Sequence, residues 1–363
     1  MRLFQNSGVP GSFLSRHRAE LQSAVTFKDR IARFLHQRYG ALHFLAPVLD
    51  GEETAFFTNG DDEILQRMWA RQMGMPRRAS LADILLAQME FHRAEVFYNL
   101  DPIRYNSEFA RKLPGCVRKT VAWRNIPLPM ADLGGYDLVV CNSASLLRGY
   151  LASGWKAAYF SPAHDPVMDE YAGNQERPID VLFAGGYSRH HMKRAAVLEA
   201  VAGLRDRYRI EFCLARSRLT RLAETPAGYL TPLRKYRRPR DIRSVSRGPV
   251  YGRDLYALIA KSKVVLNGAI DVSGEDRGNM RCFEAMGCSA LLLGDAGVYP
   301  DGMRDGETLL TYSSPAEAKE LVDRVINDWN RYARTAEQAN QMVRTLYNKR
   351  NQWSEFCRLV SRL

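Results

Sequence analysis

Residues 263–295 read KVVLNGAIDVSGEDRGNMRCFEAMGCSALLLGD. A β-branched run from Val264 to Leu266 stops at Asn267-Gly268, and a second apolar run from Leu291 to Leu293 stops at Gly294-Asp295. Apolar runs this short, bounded by turn residues, predict buried strands. Between them a loop rich in glycine and acids leads into a predicted helix from about Asn279 to Met286, which Gly287 closes. Strand, loop, helix and strand make a βαβ unit, and open α/β sheets hold ligands beyond the carboxyl ends of their strands.

The start of that helix is where the chemistry gathers. Gly278 lets a ligand approach the backbone, and the N–H groups of Asn279, Met280 and Arg281 form the positive end of the helix, which suits a diphosphate. Glu284 lies further along, and a carboxylate accepts two hydroxyl hydrogen bonds at once, as a ribose offers them. Arg281 and Glu284 are also three apart on one helix face, the spacing of an ordinary surface ion pair worth about 0.2–0.5 kcal/mol. Spacing alone fits both readings equally.

NMRCFEAMG, with VVLNGAIDVSGEDRG before it and SALLLGD after it, resembles the donor segment of bacterial GT-B glycosyltransferases of the spore-maturation-protein (CgeB-like) group. Asn279, Met280, Arg281, Phe283 and Glu284 match that group position by position. Asp276 stands eight before Glu284, so the pair resembles the acid-x7-acid motif of retaining GT-B enzymes with aspartate in first place. The resemblance implies an α/β fold of two Rossmann-like domains facing each other across a cleft. Residues 1–165 would be the acceptor domain, 166–345 the nucleotide-sugar donor domain, and 346–363 a helix returning to the first. The activity implied is transfer of a sugar from a nucleotide diphosphate donor, such as a UDP-sugar, to an acceptor hydroxyl, with retention favoured over inversion. No metal is expected, and no cofactor beyond the nucleotide sugar.

Composition bounds these readings. A chain of 363 residues has room for two domains, and 46% hydrophobic with 25% charged residues is globular. No run of about twenty apolar residues predicts a membrane-spanning helix. The start, MRLFQNSGVPGSF, reads as a strand and turn rather than a signal peptide. Six cysteines without Cys-x-x-Cys spacing exclude a zinc ribbon or disulfide scaffold and fit a reducing cytosol, and the neighbours His190 and His191 do not have metal-ligand spacing. A formal charge of +12 asks for an anionic partner. With no nucleic-acid-binding signature, nucleic acid is disfavoured against anionic lipid or acidic glycan.

In the first half, a predicted strand at Arg2–Phe4 opens into a turn holding Gly8, Pro10-Gly11 and Ser12. The resembled group has a Pro-Gly-type loop there on the acceptor side; a plain turn fits the same residues. One helix face is marked by Phe27, Ile31, Phe34 and Leu35, and further helices are expected from Asp61 to Met73, with acids in its first turn, and from Leu81 to Phe91. Strands are expected at 54–58, 95–100, 117–123, 136–141 and 157–160, giving six in all. The strand ending at Leu100 delivers Asp101 to the carboxyl edge, where a carboxylate acts as a base or holds acceptor hydroxyls. Asp101-Pro102 also fits, and fits better, a helix-starting turn. Trp123 and Arg124 are the remaining acceptor candidates.

Residues 161–178, with three prolines and a glycine, read as an interdomain linker. Asp165-Pro166 matches the resembled group at this crossover. His164 would then overlook the cleft as a base or substrate ligand; a simple polar linker residue also fits, and fits better. The second half opens with a strand at 179–184 and the turn Gly185-Gly186-Tyr187-Ser188-Arg189 before a helix. Its backbone N–H groups can hold phosphate or sugar, and Arg189 and Arg194 add positive charge. Such turns also serve geometry alone. Residues 215–248 are basic and irregular, a pattern that fits a solvated loop best and also fits a contact for the acceptor or an anionic membrane. By the resemblance Tyr251 lies near the nucleotide base.

The sequence therefore points to a metal-independent glycosyltransferase of cell-envelope glycan, polysaccharide or glycoconjugate synthesis. The donor set is Gly185, Gly186, Ser188, Arg189, Arg194, Tyr251, Asn267, Gly278, Asn279, Met280, Arg281 and Glu284, with Asp101, His164 and Asp276 as catalytic candidates. The acceptor is a glycan, lipid-linked or protein hydroxyl. The expected location is cytoplasmic, peripheral at the inner face of the membrane. Two alternatives stand beside this reading: a sugar-nucleotide epimerase of the same fold, and a non-catalytic polyanion-binding protein.

Overall fold

The computed structural model describes residues 1–126, 132–229, 232–268 and 274–363. Residues 269–273, part of the polar loop of the donor segment, lie outside the described residues. The chain divides into two compact units, Met1–Ala163 with Tyr347–Leu363, and His164–Leu346.

In unit 1 the strands are β1 (Leu3–Ser7), β2 (Ala55–Asn59), β3 (Val96–Asn99), β4 (Lys119–Trp123), β5 (Leu138–Cys141) and β6 (Ala157–Tyr159). They form one parallel sheet in the order β2-β1-β3-β4-β5-β6. Strands β1, β3 and β5 are buried along their whole length, as expected when crossover helices cover both faces of a parallel sheet. The helices are α1 (Gly11–Arg16), α2 (Arg18–Gln22), α3 (Phe27–His36), α4 (Ala46–Leu49), α5 (Glu63–Gln72), α6 (Leu81–Phe91), α7 (Ser107–Ala110) and α8 (Ala144–Ala152). Helix α6 starts where Ser80 and Asp83 form a reciprocal capping box, and α5 where the Asp62 carboxylate accepts the Leu65 N–H.

Unit 2 repeats the plan with β7 (Ile179–Gly185), β8 (Ile210–Leu214), β9 (Ser246–Arg247), β10 (Ser262–Leu266), β11 (Leu291–Asp295) and β12 (Leu310–Tyr312), in the order β12-β11-β10-β7-β8-β9 and again parallel. Its helices are α9 (Asp169–Ala172), α10 (Met192–Ala202), α11 (Arg218–Ala223), α12 (Arg240–Ser244), α13 (Gly252–Ala260), α14 (Met280–Gly287), α15 (Pro315–Asn327) and α16 (Trp329–Leu346). In each sheet the chain starts centrally, builds outward to one side and then to the other. The direction reverses between β1 and β3 and between β7 and β10, and the loops beyond those carboxyl ends part to leave a crevice.

The last helix, α17 (Lys349–Val360), belongs to unit 1. Phe356 is fully buried, with its ring 5.0 Å from Tyr98 and 5.9 Å from Phe160. The Lys349 ammonium donates to Ala41 O (2.7 Å), Leu42 O (3.0 Å), Phe44 O (2.8 Å) and Gln352 Oε1 (3.0 Å), fastening the helix to the 3₁₀ turn Ala41–His43.

Two stretches differ from their sequence reading. The linker at 161–178 contains a 3₁₀ turn, Pro166–Met168, and α9. Asp165 and His164 are buried there because Val167 and Met168 carry the segment into unit 2. The basic stretch at 215–248 holds α11, α12, β9 and 3₁₀ turns rather than irregular chain alone. No helix among the described residues is long and apolar enough to cross a membrane.

Candidate functional site

The crevice of unit 2 opens beyond β7 and β10. Here α10 starts after β7 and α14 after β10, and the two helix starts differ in how their free N–H groups are used. Asn279 caps α14: its Oδ1 accepts the Arg281 N–H at 3.0 Å, and its amide exchanges hydrogen bonds with Asn267, at 3.3 and 3.2 Å. One of the N–H groups assigned to a diphosphate from the sequence is therefore already bound. That follows from the strength of asparagine as a capping residue. In contrast, α10 is preceded by His191, which makes no side-chain cap bond. An eleven-residue helix with an uncapped start presents its amides and dipole to an anion.

A cavity of about 580 Å³ opens at this place, lined by Lys193, Arg194, Gly268, Arg277, Asp295 and Tyr312 among others. That volume is in the range of small-molecule sites. Gly268 lets the cavity wall close up: a Cβ there would stand 3.1 Å from Tyr312 Oη and 3.3 Å from Arg194 Cγ. Tyr312 in turn donates to Asn267 O at 2.7 Å. Arg194, Gly268, Asn267 and Asn279 thus form one contiguous row across the carboxyl end of β10. On the far wall Arg277 pairs with Asp295 at 2.7 Å. The start of α15 is closed by Ser314, which accepts the Glu317 N–H at 3.1 Å, and by Glu317, which accepts the Ser313 N–H at 2.7 Å.

Glu284 is 8% exposed, and its Oε2 accepts from Arg281 Nη1 at 2.6 Å. The pair read from the sequence as a surface contact is formed, with Glu284 buried and Arg281 partly exposed. Burial pushes the Glu284 carboxyl above its ordinary value, with Arg281 opposing. Asp276 is half-buried and its residue bridges to Val298. Gly278 is half-buried; Gly185, at the end of β7, is exposed, as are Gly186 and Arg189 in the turn before α10, where Ser188 Oγ accepts the His190 N–H at 3.2 Å. Tyr251 stands at the cap position of α13.

His164 is elsewhere in unit 2. It is 3% exposed, its Nε2 lies 3.0 Å from Asp169 Oδ1, and its Nδ1 would be 3.0 Å from a Cβ on Gly287. Gly287 ends α14, so His164 sits at the opposite end of that helix from Asn279. Burial pushes its pKa down, with Asp169 opposing. The structure does not bring it to the cavity.

In unit 1 the crevice beyond β1 and β3 joins Gly8 to Asp101: a Cβ on Gly8 would lie 3.2 Å from Asp101 Oδ2. Asp101 pairs with Arg104 at 3.2 Å. Beside them is Asp61, which the sequence reading placed in the first turn of a helix. The helix begins two residues later, and both Asp61 oxygens accept the Val9 N–H at 3.0 Å. Burial pushes Asp61 up to about 6; the Val9 N–H opposes this and the Asp101 charge adds to it. A buried polar network supports the pair from below. Asn6 Nδ2 donates to Asn99 Oδ1 (2.9 Å), Gly60 N–H to Asn6 Oδ1 (2.8 Å), and Tyr105 OH to Gly60 O (2.6 Å). Only glycine fits at 60, where a Cβ would fall 2.7 Å from both Asn6 Oδ1 and Tyr105 Oη. Gly60→Ala is expected to destabilise by at least about 1–3 kcal/mol, the cost of breaking one buried hydrogen bond, in a denaturant melt.

Gly11 and Ser12 are exposed at the start of α1, and Trp123, with Arg124 beside it, tilts against the buried His43, ring centroids 4.2 Å apart. Asp61, Lys193 and Arg277 are the residues sequence reasoning missed. For Asp61 a signal existed, an acid directly after the Asn59-Gly60 strand stop.

Residues 193–358 match the glycosyl transferase-like family. Among curated protein sequences none matches the chain. In fold the chain is similar to Anabaena HepE in complex with UDP and glucose, at 13% identity, covering 100% of both chains with a TM-score of 0.58. It is similar also to sucrose-phosphate synthase from Thermosynechococcus elongatus, at 11% identity over 99% of this chain and 98% of that one, TM-score 0.52. The α,α-trehalose-phosphate synthase (UDP-forming) from Burkholderia vietnamiensis is similar at 13% identity over 99% and 97%, TM-score 0.50. The chain therefore has the fold of GT-B glycosyltransferases, and over residues 193–358 it is similar to the glycosyl transferase-like family.

Proposed function

We propose that this chain is a glycosyltransferase that moves a sugar from a nucleotide diphosphate donor to an acceptor hydroxyl in cell-envelope glycan synthesis. The observation that carries the reading is the uncapped start of α10 beside Arg194, opening on the cavity at the carboxyl edge of unit 2. The amides of α10, Lys193 and Arg194 hold the diphosphate and stabilise the charge that develops on it as the sugar leaves. No metal is required where fixed cations and a helix dipole do this. Glu284 holds the ribose with the oxygen that Arg281 does not take, and Tyr251 lies toward the base. Asp276 lies toward the sugar, and its spacing to Glu284 favours retention. In unit 1, Asp61 and Asp101 hold the acceptor hydroxyl. The motif NMRCFEAMG supports the spore-maturation-protein group as the finer affiliation, and a lipid-linked or glycan acceptor at an anionic membrane surface is the expected setting.

A thermal-shift panel of nucleoside diphosphates and nucleotide sugars tests the donor site. UDP is the first to try, because the similar Anabaena protein was crystallised with it. At about one hundred times Kd a ligand adds about 2.7 kcal/mol, a rise of a few degrees in Tm. The rise is expected to disappear in Arg194→Ala and in Glu284→Ala. Equal stabilisation of the wild type and both variants would remove these assignments.

A further inference from the structure

From the end of β8 through β9 the chain makes an excursion, residues 215–248, with ten Lys or Arg against two Asp or Glu. Its net +8 is most of the chain's +12. Both acids are already committed inside the protein, Glu224 to Arg238 and Arg216, and Asp241 to Arg205. Arg218, Arg221, Arg234, Lys235 and Arg240 are exposed and make no ion pair among the described residues. The excess charge is therefore directed outward.

Helix α11 carries two of these arginines together with Leu219 and Leu222, which are 44% and 49% exposed. The leucines are three apart and share one face, and Arg218 and Arg221 flank them. This presentation is built. Ser217 caps the start by accepting the Thr220 N–H at 3.0 Å, and the Arg237 guanidinium binds Ala223 O at 2.6 Å and Thr225 O at 2.9 Å at the other end. The inner side of the helix is closed by Ala223 and by the Arg238–Glu224 pair, with side chains 5% and 11% exposed. A helix locked in this orientation holds its leucines in water until something covers them.

We propose that α11 is a membrane-surface contact, its two leucines entering the headgroup and acyl boundary of an anionic leaflet while the surrounding arginines and Lys235 pair with lipid phosphates. Nucleic acid would use the arginines but gives two aliphatic side chains no apolar partner, and the Tyr236 ring is covered by Lys235 at 5.2 Å. A short arginine-flanked apolar face is what an interfacial helix needs. Each basic side chain near an anionic surface raises partitioning about fivefold, and salt weakens that term. The assignment does not depend on the donor-site reading, since none of these residues lines the cavity.

The test is co-sedimentation of the full chain with phosphatidylcholine vesicles containing about one-third phosphatidylglycerol, and with phosphatidylcholine vesicles alone. Sedimentation with the anionic vesicles only is expected, reduced at high salt. L219S/L222S is expected to lower the partition coefficient roughly tenfold, and R218Q/R221Q by about twenty-fivefold, from two charges of about fivefold each. Both doubles keep the wild-type Tm, because the altered side chains are exposed. Equal binding to both vesicles, no binding, or full binding by L219S/L222S would each overturn the proposal. So would an oligonucleotide that the chain binds more tightly than the vesicles and that L219S/L222S binds as well as the wild type does.

Discussion

Lys349→Met lowers the unfolding free energy of unit 1 by about 2–4 kcal/mol, read as an earlier midpoint in urea at unchanged slope. The ammonium is 7% exposed and holds four oxygens at 2.7–3.0 Å. Methionine keeps the length of the stem and removes the donors. Ala41 O and Leu42 O retain the N–H groups of Phe44 and Ala163. Phe44 O and Gln352 Oε1 lose theirs, and a buried acceptor left unpaired costs about 1–3 kcal/mol. Relief from burying the ammonium offsets part of the two losses. Arg350→Ala, at an exposed neighbouring position, serves as the control and is expected to stay within about 0.5 kcal/mol. A Lys349→Met effect as small as the control would mean that α17 is held by its rings alone.

Asp61→Asn moves stability and activity in opposite directions. The folded protein binds a proton at Asp61 more tightly than the unfolded chain does, with a pKa raised from 3.8 to about 6. A raised carboxyl pKa means that stability is lost as pH rises through this window, and the loss is complete above it. Asparagine does not titrate and can still accept the Val9 N–H. Relative to wild type, the variant should therefore gain about 1–3 kcal/mol at pH 7 over its difference at pH 4, after allowing for the partly open position of the group. Turnover should fall by about ten- to hundredfold, the worth of a charged hydrogen bond to the acceptor hydroxyl. Thermal melts at the two pH values and initial rates at varied acceptor concentration separate the effects. A flat stability difference across pH would dismiss the raised pKa, and unchanged turnover would dismiss the acceptor role.

The parallel α/β architecture was legible because the central strands are short apolar runs stopped by turn residues, as Val264–Leu266 and Leu291–Leu293 show, and the GT-B expectation agrees with the fold observed. The ends of α6 could be read directly, since Ser80 and Asp83 spell its start. Strand β9 could not, because two residues paired to β8 have no periodicity of their own. Helix α11 was hidden for a different reason: its leucines face outward, so no buried stripe marks it.

At the crevices, spacing identified neighbours but not their surroundings. Arg281 and Glu284 at three residues apart had to meet, yet nothing in the spacing says that the carboxylate would be withdrawn from solvent. The relative merits of α10 and α14 as anion sites were partly readable, because asparagine at one start and histidine at the other predict a capped and an uncapped helix. The strand stop at Asn59-Gly60 marks Asp61 only in part: Asp62 beside it is the capping residue, and two adjacent acids before a helix do not say which faces the loop.

The chain leaves unit 1 after Ala163 and comes back to it at Tyr347. Every residue of His164–Leu346 must be synthesised before α17 exists, an interval of about 10–40 s at roughly 5–20 residues per second. The half that emerges first from the ribosome is thus completed last, and in the meantime it waits with Tyr98 and Phe160 lacking their cover. A stop codon placed just after Leu346 would spare the half it ends and cripple the other.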